Sequence, residues 1–259
     1  MSMPATAKDV SRSQQVVAVA GGTQGIGLAI AELFAERGET VAVCSRSPRP
    51  ATLPAAMLHA QVDVRQRSAV HRFIEDVRAQ HGRVDVMVNC AGVSRWRPIQ
   101  EIDDAFAEEL LHTNVLGALW GCAAAAEVLP QGGAIINVSS LAGKRGSANN
   151  SAYCAAKFAV NGLTQALAKE LGPRGIRVNA VCPVYVETER ILAALAEPAS
   201  PARGRSVGAY LADFASTQTA LGRLPTAREV AEAVYFLASP AASAITGQCL
   251  NVDCGTLPQ

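Results

Sequence analysis

Several things are scarce in this sequence, and each scarcity removes a class of function. Net charge is nearly absent, with 23 basic residues against 22 acidic ones and a balance of +1. Such a chain attracts no polyanion as a whole, so nucleic acid is not an expected partner. No apolar run approaches the ~20 residues of a membrane span, and Met1 to Gln15 is polar, without the apolar centre of a secretion signal. The seven cysteines lack metal-ligand spacing. Cys90, Cys154, Cys182 and Cys249 lie in apolar or small-residue runs and read as buried thiols of a reducing compartment, so neither disulfides nor a metal site is expected. Repeats, low-complexity tracts and linker-like segments are missing too. These absences predict a soluble cytoplasmic protein of one domain over residues 1–259. Lysine is also rare: Lys8, Lys144, Lys157 and Lys169 are the only ones.

What is present is a regular alternation of strand and helix patterns. Val16 to Ala20 is apolar without alternation, as expected of a strand covered on both faces. It runs into Gly21-Gly22-Thr23-Gln24-Gly25-Ile26-Gly27 and then a helical pattern ending at Arg37-Gly38. Strand, glycine-rich turn and helix in that order aim helix N-terminal N–H groups at a pyrophosphate. Further strands are expected at 40–44, 59–62, 84–88, 134–138, 177–181 and 248–252. Helices are expected at 66–80, 103–130 and 151–171, with Gly172-Pro173 as the stop of the last, and from the capping box Thr226 to Glu229 onward. Prolines 48, 50 and 54 leave the second crossover short or irregular. The predicted fold is α/β: a doubly wound Rossmann sheet of about seven parallel strands with helices on both faces. Residues 187–224 break the rhythm, with helix-like pieces at 189–196 and 210–218, and read as a lid over a substrate.

The second strand ends in Ser45-Arg46. An NAD site usually carries an acid there for the ribose 2′-OH, whereas a guanidinium suits a 2′-phosphate. NADP(H) is therefore favoured, NAD(H) remains possible, and Arg49 is a candidate helper. Asn114, in the apolar middle of a helix, is either a satisfied core polar group or part of a site.

Tyr153 and Lys157 stand at i and i+4, which a helix places on one face. Bringing a phenol from its usual pKa of ~10 to about 7 takes roughly 4 kcal/mol. One ammonium ~4 Å away at an effective dielectric of ~20 supplies about that. The pair is thus expected to make a tyrosine that exchanges a proton with an alcohol or carbonyl oxygen.

Taken together, Gly21-x-x-x-Gly25-Ile26-Gly27, Asp63-Val64, Asn89-Cys90-Ala91-Gly92, Asn114, Ser140, Tyr153-x-x-x-Lys157 and Asn179-x-Val181-x-Pro183 resemble the short-chain dehydrogenase/reductase family over nearly the whole chain. The resemblance, closest in kind to 3-oxoacyl reductases, implies roles. Tyr153 is the general acid/base, and Ser140, preferred over Ser139 by its spacing to Tyr153, polarises the reacting oxygen. Lys157 binds the nicotinamide ribose, and Asn114 holds a relay water. Asp63 faces the adenine, Asn89 steadies the strands beneath the cofactor, and Thr188 meets the carboxamide. Thr23, Gln24, Val64, Ala91, Gly92, Pro183 and Val186 complete the cofactor wall. Trp96, Leu141, Val184 and Tyr185 are candidates for the substrate pocket.

Four positions depart from the family pattern: Ala20, Cys90, Val184 and Cys254 stand where threonine, asparagine, glycine and glycine are common. None removes a proton-transfer residue. The expected activity is NADPH-dependent reduction of a ketone, on a medium-sized or cyclic substrate. The alternatives are an NAD-dependent alcohol or polyol dehydrogenase and a non-catalytic nucleotide-binding protein on the same fold. Because 127–133 is not basic, carrier-bound 3-oxo thioesters rank below free ketones. The family often assembles through the Tyr153 helix and the helix before it, so a homo-oligomer, tetramer or dimer, is expected.

Overall fold

The computed structural model describes residues 14–258, and most of the polar N-terminal stretch lies outside them. All seven described strands join one parallel sheet in the order β3-β2-β1-β4-β5-β6-β7. They are β1 (Val16–Ala20), β2 (Thr40–Ser45), β3 (Leu58–Gln61), β4 (Val86–Asn89), β5 (Ala134–Val138), β6 (Arg177–Pro183) and β7 (Cys249–Val252). β1 pairs with both β2 and β4, so the winding reverses there and a crevice opens at the strands' carboxyl ends.

The unalternating strands divide their residues between two cores. Val17 and Val19 pack with Ile30, Leu33 and Phe34 of α1 (Gly25–Glu36) and Val230, Val234 and Leu237 of α8 (Ala227–Ala238). Val16, Ala18 and Ala20 face the other core, with Phe73 and Ile74 of α2 (Arg67–His81), Cys122 and Ala125 of α4 (Gly117–Val128) and Leu171 of α5 (Ser151–Leu171). Apolar runs without alternation are thus what two covered faces require. The capping box of α8 is formed: Thr226 Oγ1 accepts from the Glu229 N–H, and Glu229 accepts from the Thr226 N–H. Residues 46–57 hold no helix, as the prolines require.

One expected helix differs: the helix at 103–130 is α3 (Asp104–Leu111) and α4, joined by a π-helical turn, His112–Leu116. The helix expected at 151–171 is α5, which stops at Gly172-Pro173 as expected. A 3-10 turn, Gly172–Arg174, follows it and ends at Gly175 with φ 72°; proline fits the first turn of such a helix because its missing N–H has no intrahelical partner to lose. Cys254, where the family prefers glycine, holds φ 51°, a left-handed conformation that explains the preference. In the 187–224 segment, α6 (Glu189–Leu195) and α7 (Val207–Gln218) enclose a small core of their own around Trp96, Ala194, Leu195 and Leu211.

Beneath the crevice runs a buried polar chain. Asn89 donates to Asn137 at 2.9 Å, Asn137 donates to Thr164 at 2.9 Å, and Thr164 donates to the Val160 carbonyl at 2.8 Å. It ties β4 and β5 to α5. Gly121 lies against it: a Cβ there would stand 1.9 Å from Asn89 Oδ1. Gly121→Ala is therefore expected to lose about 1–3 kcal/mol of stability by overpacking. Gly208→Ala, in α7 with nothing within 4 Å, should be neutral or slightly stabilising. Urea unfolding of both variants checks this, and a Gly121→Ala protein as stable as the wild type would contradict it.

Candidate active site

The crevice is a cavity of about 1100 Å³ along the carboxyl ends of β1, β2, β4, β5 and β6. Every residue assigned above to catalysis, cofactor or substrate lines it except Asp63, Asn89 and the candidate helper Arg49. Asn89 lies underneath in the buried polar chain, in keeping with a steadying role. Asp63 lies outside the lining, and its carboxylate is held by Arg65, with Nη2 to Oδ2 at 2.6 Å. That hydrogen bond, ahead of all other effects, keeps the Asp63 pKa below the usual carboxylate range. Arg65 is a neighbour the sequence pattern gave no reason to single out.

At one end of the cavity, β1 turns into α1. Gly21 has φ 81°, and a Cβ on it would meet the Ala91 backbone nitrogen at 2.7 Å. α1 opens at Gly25 with Gln24 as N-cap, without a side-chain cap and without an acid in its first turn. Its first N–H groups are thus left for an anion, and the positive end of the helix dipole points at them. Arg46 is exposed, and its guanidinium makes no hydrogen bond or ion pair among the described residues. Arg49 is different. Its guanidinium donates to the carbonyls of Met57, Leu53 and Pro54, so it fastens its own loop instead of assisting Arg46. These features suit a dinucleotide: amides for the pyrophosphate, a cradle that side chains would fill, and a cation just past β2 with no partner among the described residues.

At the other end stand Ser140, Tyr153, Lys157 and Asn114. Ser140 caps the 3-10 turn Leu141–Gly143, its Oγ accepting from the Ala142 N–H at 3.1 Å; its own proton stays available for a second oxygen. Ser139 instead turns inward, donating to the Lys157 carbonyl at 3.4 Å, which supports the choice of Ser140. Burial pushes the Tyr153 pKa up to about 12, outweighing hydrogen bonds donated to its oxygen by the Ser140 and Ser94 hydroxyls, which favour ionisation. The expected depression toward 7 is therefore absent from the protein alone. The cause is geometric as well as dielectric. Lys157 Nζ donates to the Val138 carbonyl at 2.9 Å and lies over the face of the Tyr153 ring, 5.7 Å from its centroid. Burial also lowers the Lys157 pKa, to about 8.

Of the two readings the sequence left open, Asn114 meets the first, a satisfied buried polar group, and it also faces the cavity. Its amide is engaged with backbone: Nδ2 donates to the Leu110 carbonyl at 2.9 Å and the Val93 carbonyl at 3.0 Å, while Oδ1 accepts from the Val93 N–H at 3.2 Å. One Oδ1 lone pair is all the side chain has left for a relay water. Ser94 is the residue at Tyr153 that sequence reasoning missed; its position two residues past Gly92 was the available signal.

The cavity wall facing Tyr153 carries aromatic side chains. Tyr185 meets Phe214 edge-on with centroids 4.9 Å apart, and its hydroxyl shares a 3.1 Å hydrogen bond with Tyr210. Val184, at the common glycine position, lines the cavity without a left-handed φ. Phe214 joins Trp96, Leu141 and Tyr185 from α7, a contact no local pattern encodes.

A family model described as enoyl-(acyl carrier protein) reductase matches residues 20–256. The chain is 33% identical over 249 residues to a 3-oxoacyl-(acyl-carrier-protein) reductase, FabG, of Chlamydia trachomatis, covering 92% of this chain and 95% of that one. It is 38% identical over 257 residues to a diacetyl reductase, (S)-acetoin forming, of Staphylococcus aureus, covering 94% and 98%. The ligand-free aldohexose dehydrogenase of Thermoplasma acidophilum superposes with a TM-score of 0.85 at 31% identity, over 95% of this chain and 98% of that one. Agreement of this length, in sequence and in backbone alike, has one meaning: the chain belongs to the short-chain dehydrogenase/reductase family, oxidoreductases that act on CH–OH and carbonyl groups with NAD(P)(H).

Proposed function

We propose that this protein is an NADPH-dependent ketoreductase acting on a medium-sized or cyclic carbonyl compound. The observation that carries the reading is the placement of Tyr153, a half-buried phenol, beside Ser140 and Lys157 at the apolar end of a dinucleotide-sized crevice, where burial favours its protonated form. A proton donor is what reduction needs. The nicotinamide, when bound, supplies the hydride. Ser140 donates its hydroxyl proton as a hydrogen bond to the substrate oxygen. Tyr153 transfers its proton to that oxygen as the carbon is reduced. Lys157, buried on the same helix face, binds the nicotinamide ribose, and Asn114 fixes the loop after β4 against the π-helical turn. The 187–224 segment acts as the lid, bringing Phe214 to the substrate wall, backing Tyr185 with Tyr210 and excluding water. That wall's aromatic character favours ketones over polyols.

Tyr153→Phe should cut ketone reduction by about 10²–10⁴-fold while leaving cofactor affinity close to wild type. In the wild type, the reductive rate should show no loss attributable to tyrosine ionisation across neutral pH, because the acid form persists well above it. A Tyr153→Phe enzyme with full activity would remove the catalytic assignment.

Arg46 supports the choice of NADPH, being a cation just past β2 with no partner among the described residues and no acid beside Ser45. Arg46→Ala should weaken NADPH binding about 10- to 100-fold, the range for losing a hydrogen-bonded charge partner, and change NADH binding little. Equal losses for both cofactors would mean that Arg46 does not read the 2′-phosphate.

A homo-oligomer is proposed as well. α5 exposes Ala155, Phe158, Ala159, Gly162 and Ala166 along one face, with Phe158 49% exposed. A second copy of the chain would cover this face, its small residues permitting close helix approach. Ala159→Arg should shift the sedimentation coefficient toward that of the monomer; an unchanged oligomer would move the interface elsewhere.

A further inference from the structure

Arg190 crosses the middle of the crevice. It lies two residues past Thr188, the N-cap of α6, and its Nη1 donates to the Gly92 carbonyl at 3.1 Å. With the Gln24 amide oriented so that its oxygen faces the guanidinium, that oxygen accepts from Nη2 at 2.7 Å and from Nε. Gln24 belongs to the turn that opens α1. Gly92 belongs to the opposite end, where a Cβ would stand 2.9 Å from Asn114 Oδ1 and 3.7 Å from Lys157 Nζ. The guanidinium therefore bridges the turn that opens α1 and the Lys157 end of the cavity. Both its partners are neutral oxygens, and it makes no ion pair with a carboxylate among the described residues. Partial burial, and then repulsion from Arg46, hold its pKa below the ordinary value. α6 touches the turn a second time, since a Cβ on Gly25 would lie 3.1 Å from Thr188 Cγ2.

We propose that Arg190 is a lid-borne ligand for the cofactor's pyrophosphate, exchanging the Gly92 and Gln24 carbonyls for phosphate oxygens when the cofactor binds. A guanidinium gains from that exchange because bonds between two charged partners are stronger than bonds to a neutral carbonyl. Arg190 is carried by α6, whose next residues Ile191 and Ala194 line the cavity. Loading of the pyrophosphate thereby sets the position of the substrate wall. The inference rests on the cofactor reading above and adds a residue the sequence pattern did not single out. Pyrophosphate is common to NADH and NADPH, so Arg190 serves both, whereas Arg46 serves one.

The test is a binding titration of the full chain with NADH, NADPH and ADP-ribose, in wild type, Arg190→Met and Arg190→Lys, without any substrate. Arg190→Met should lose about 10- to 100-fold in affinity for all three, and Arg190→Lys should recover part of it. In parallel, cofactor should slow tryptic cleavage after Arg203, exposed between α6 and α7, in the wild type and much less in Arg190→Met. Unchanged affinities would overturn the proposal, as would a loss confined to NADPH, which would place Arg190 at the 2′-phosphate. Tighter binding by Arg190→Met would overturn it too, by showing that the side chain only obstructs the groove. A wild type that binds none of the three would sink the cofactor reading and this proposal together, whereas wild-type binding matched by Arg190→Met sinks this proposal alone.

Discussion

The site depends on how closely the turn after β1 lies against the end of β4. At Gly21 a single methyl group would sit 2.7 Å from the Ala91 nitrogen, and at Gly27 a methyl group would sit 2.1 Å from the Gly21 carbonyl oxygen. Neither separation leaves room for a side chain. Because both positions are glycine, the first turn of α1 folds down onto its own loop and its N–H groups face the crevice. The crevice exists because β1 is the strand at which the winding reverses. Sheet order thus makes the groove, and two missing side chains bring a helix terminus to it.

A second constraint keeps the chemical end in register. Tyr153 and Lys157 project from α5, and α5 is fastened beneath the site by Thr164 through Asn137 to Asn89. Above that chain, Asn114 clamps Val93 against the π-helical turn, which fixes the loop that carries Ser94 to the tyrosine. Such turns recur at functional sites because the extra residue re-aims a side chain without breaking the helix. Buried amides without partners are costly, so these networks specify one packing of strands against helix.

Most of this was legible in the sequence. Strands β1 and β5 and helix α5 follow from apolar runs and their punctuation, and the Tyr153–Lys157 spacing follows from helical periodicity. What was not legible depends on contacts between distant residues. The π-helical turn arises where Asn114 finds Val93, 21 positions away. The Lys157 ammonium takes the Val138 carbonyl instead of pairing with the phenol, so burial raises the Tyr153 pKa where proximity in sequence suggested the opposite. Arg49 and Arg190 look alike as loop and helix arginines. Only the fold shows that one fastens its own loop and the other spans the crevice.

The measurement that bears most directly on this account is a titration of the wild-type protein with NADPH and with NADH, followed by cofactor fluorescence. The account predicts saturable binding of both, with NADPH tighter by about tenfold or more for one added charge-assisted contact. NADH binding as tightly as NADPH, or more tightly, would contradict the assignment of the ribose end. Failure to bind either would contradict the reading of the crevice as a dinucleotide site.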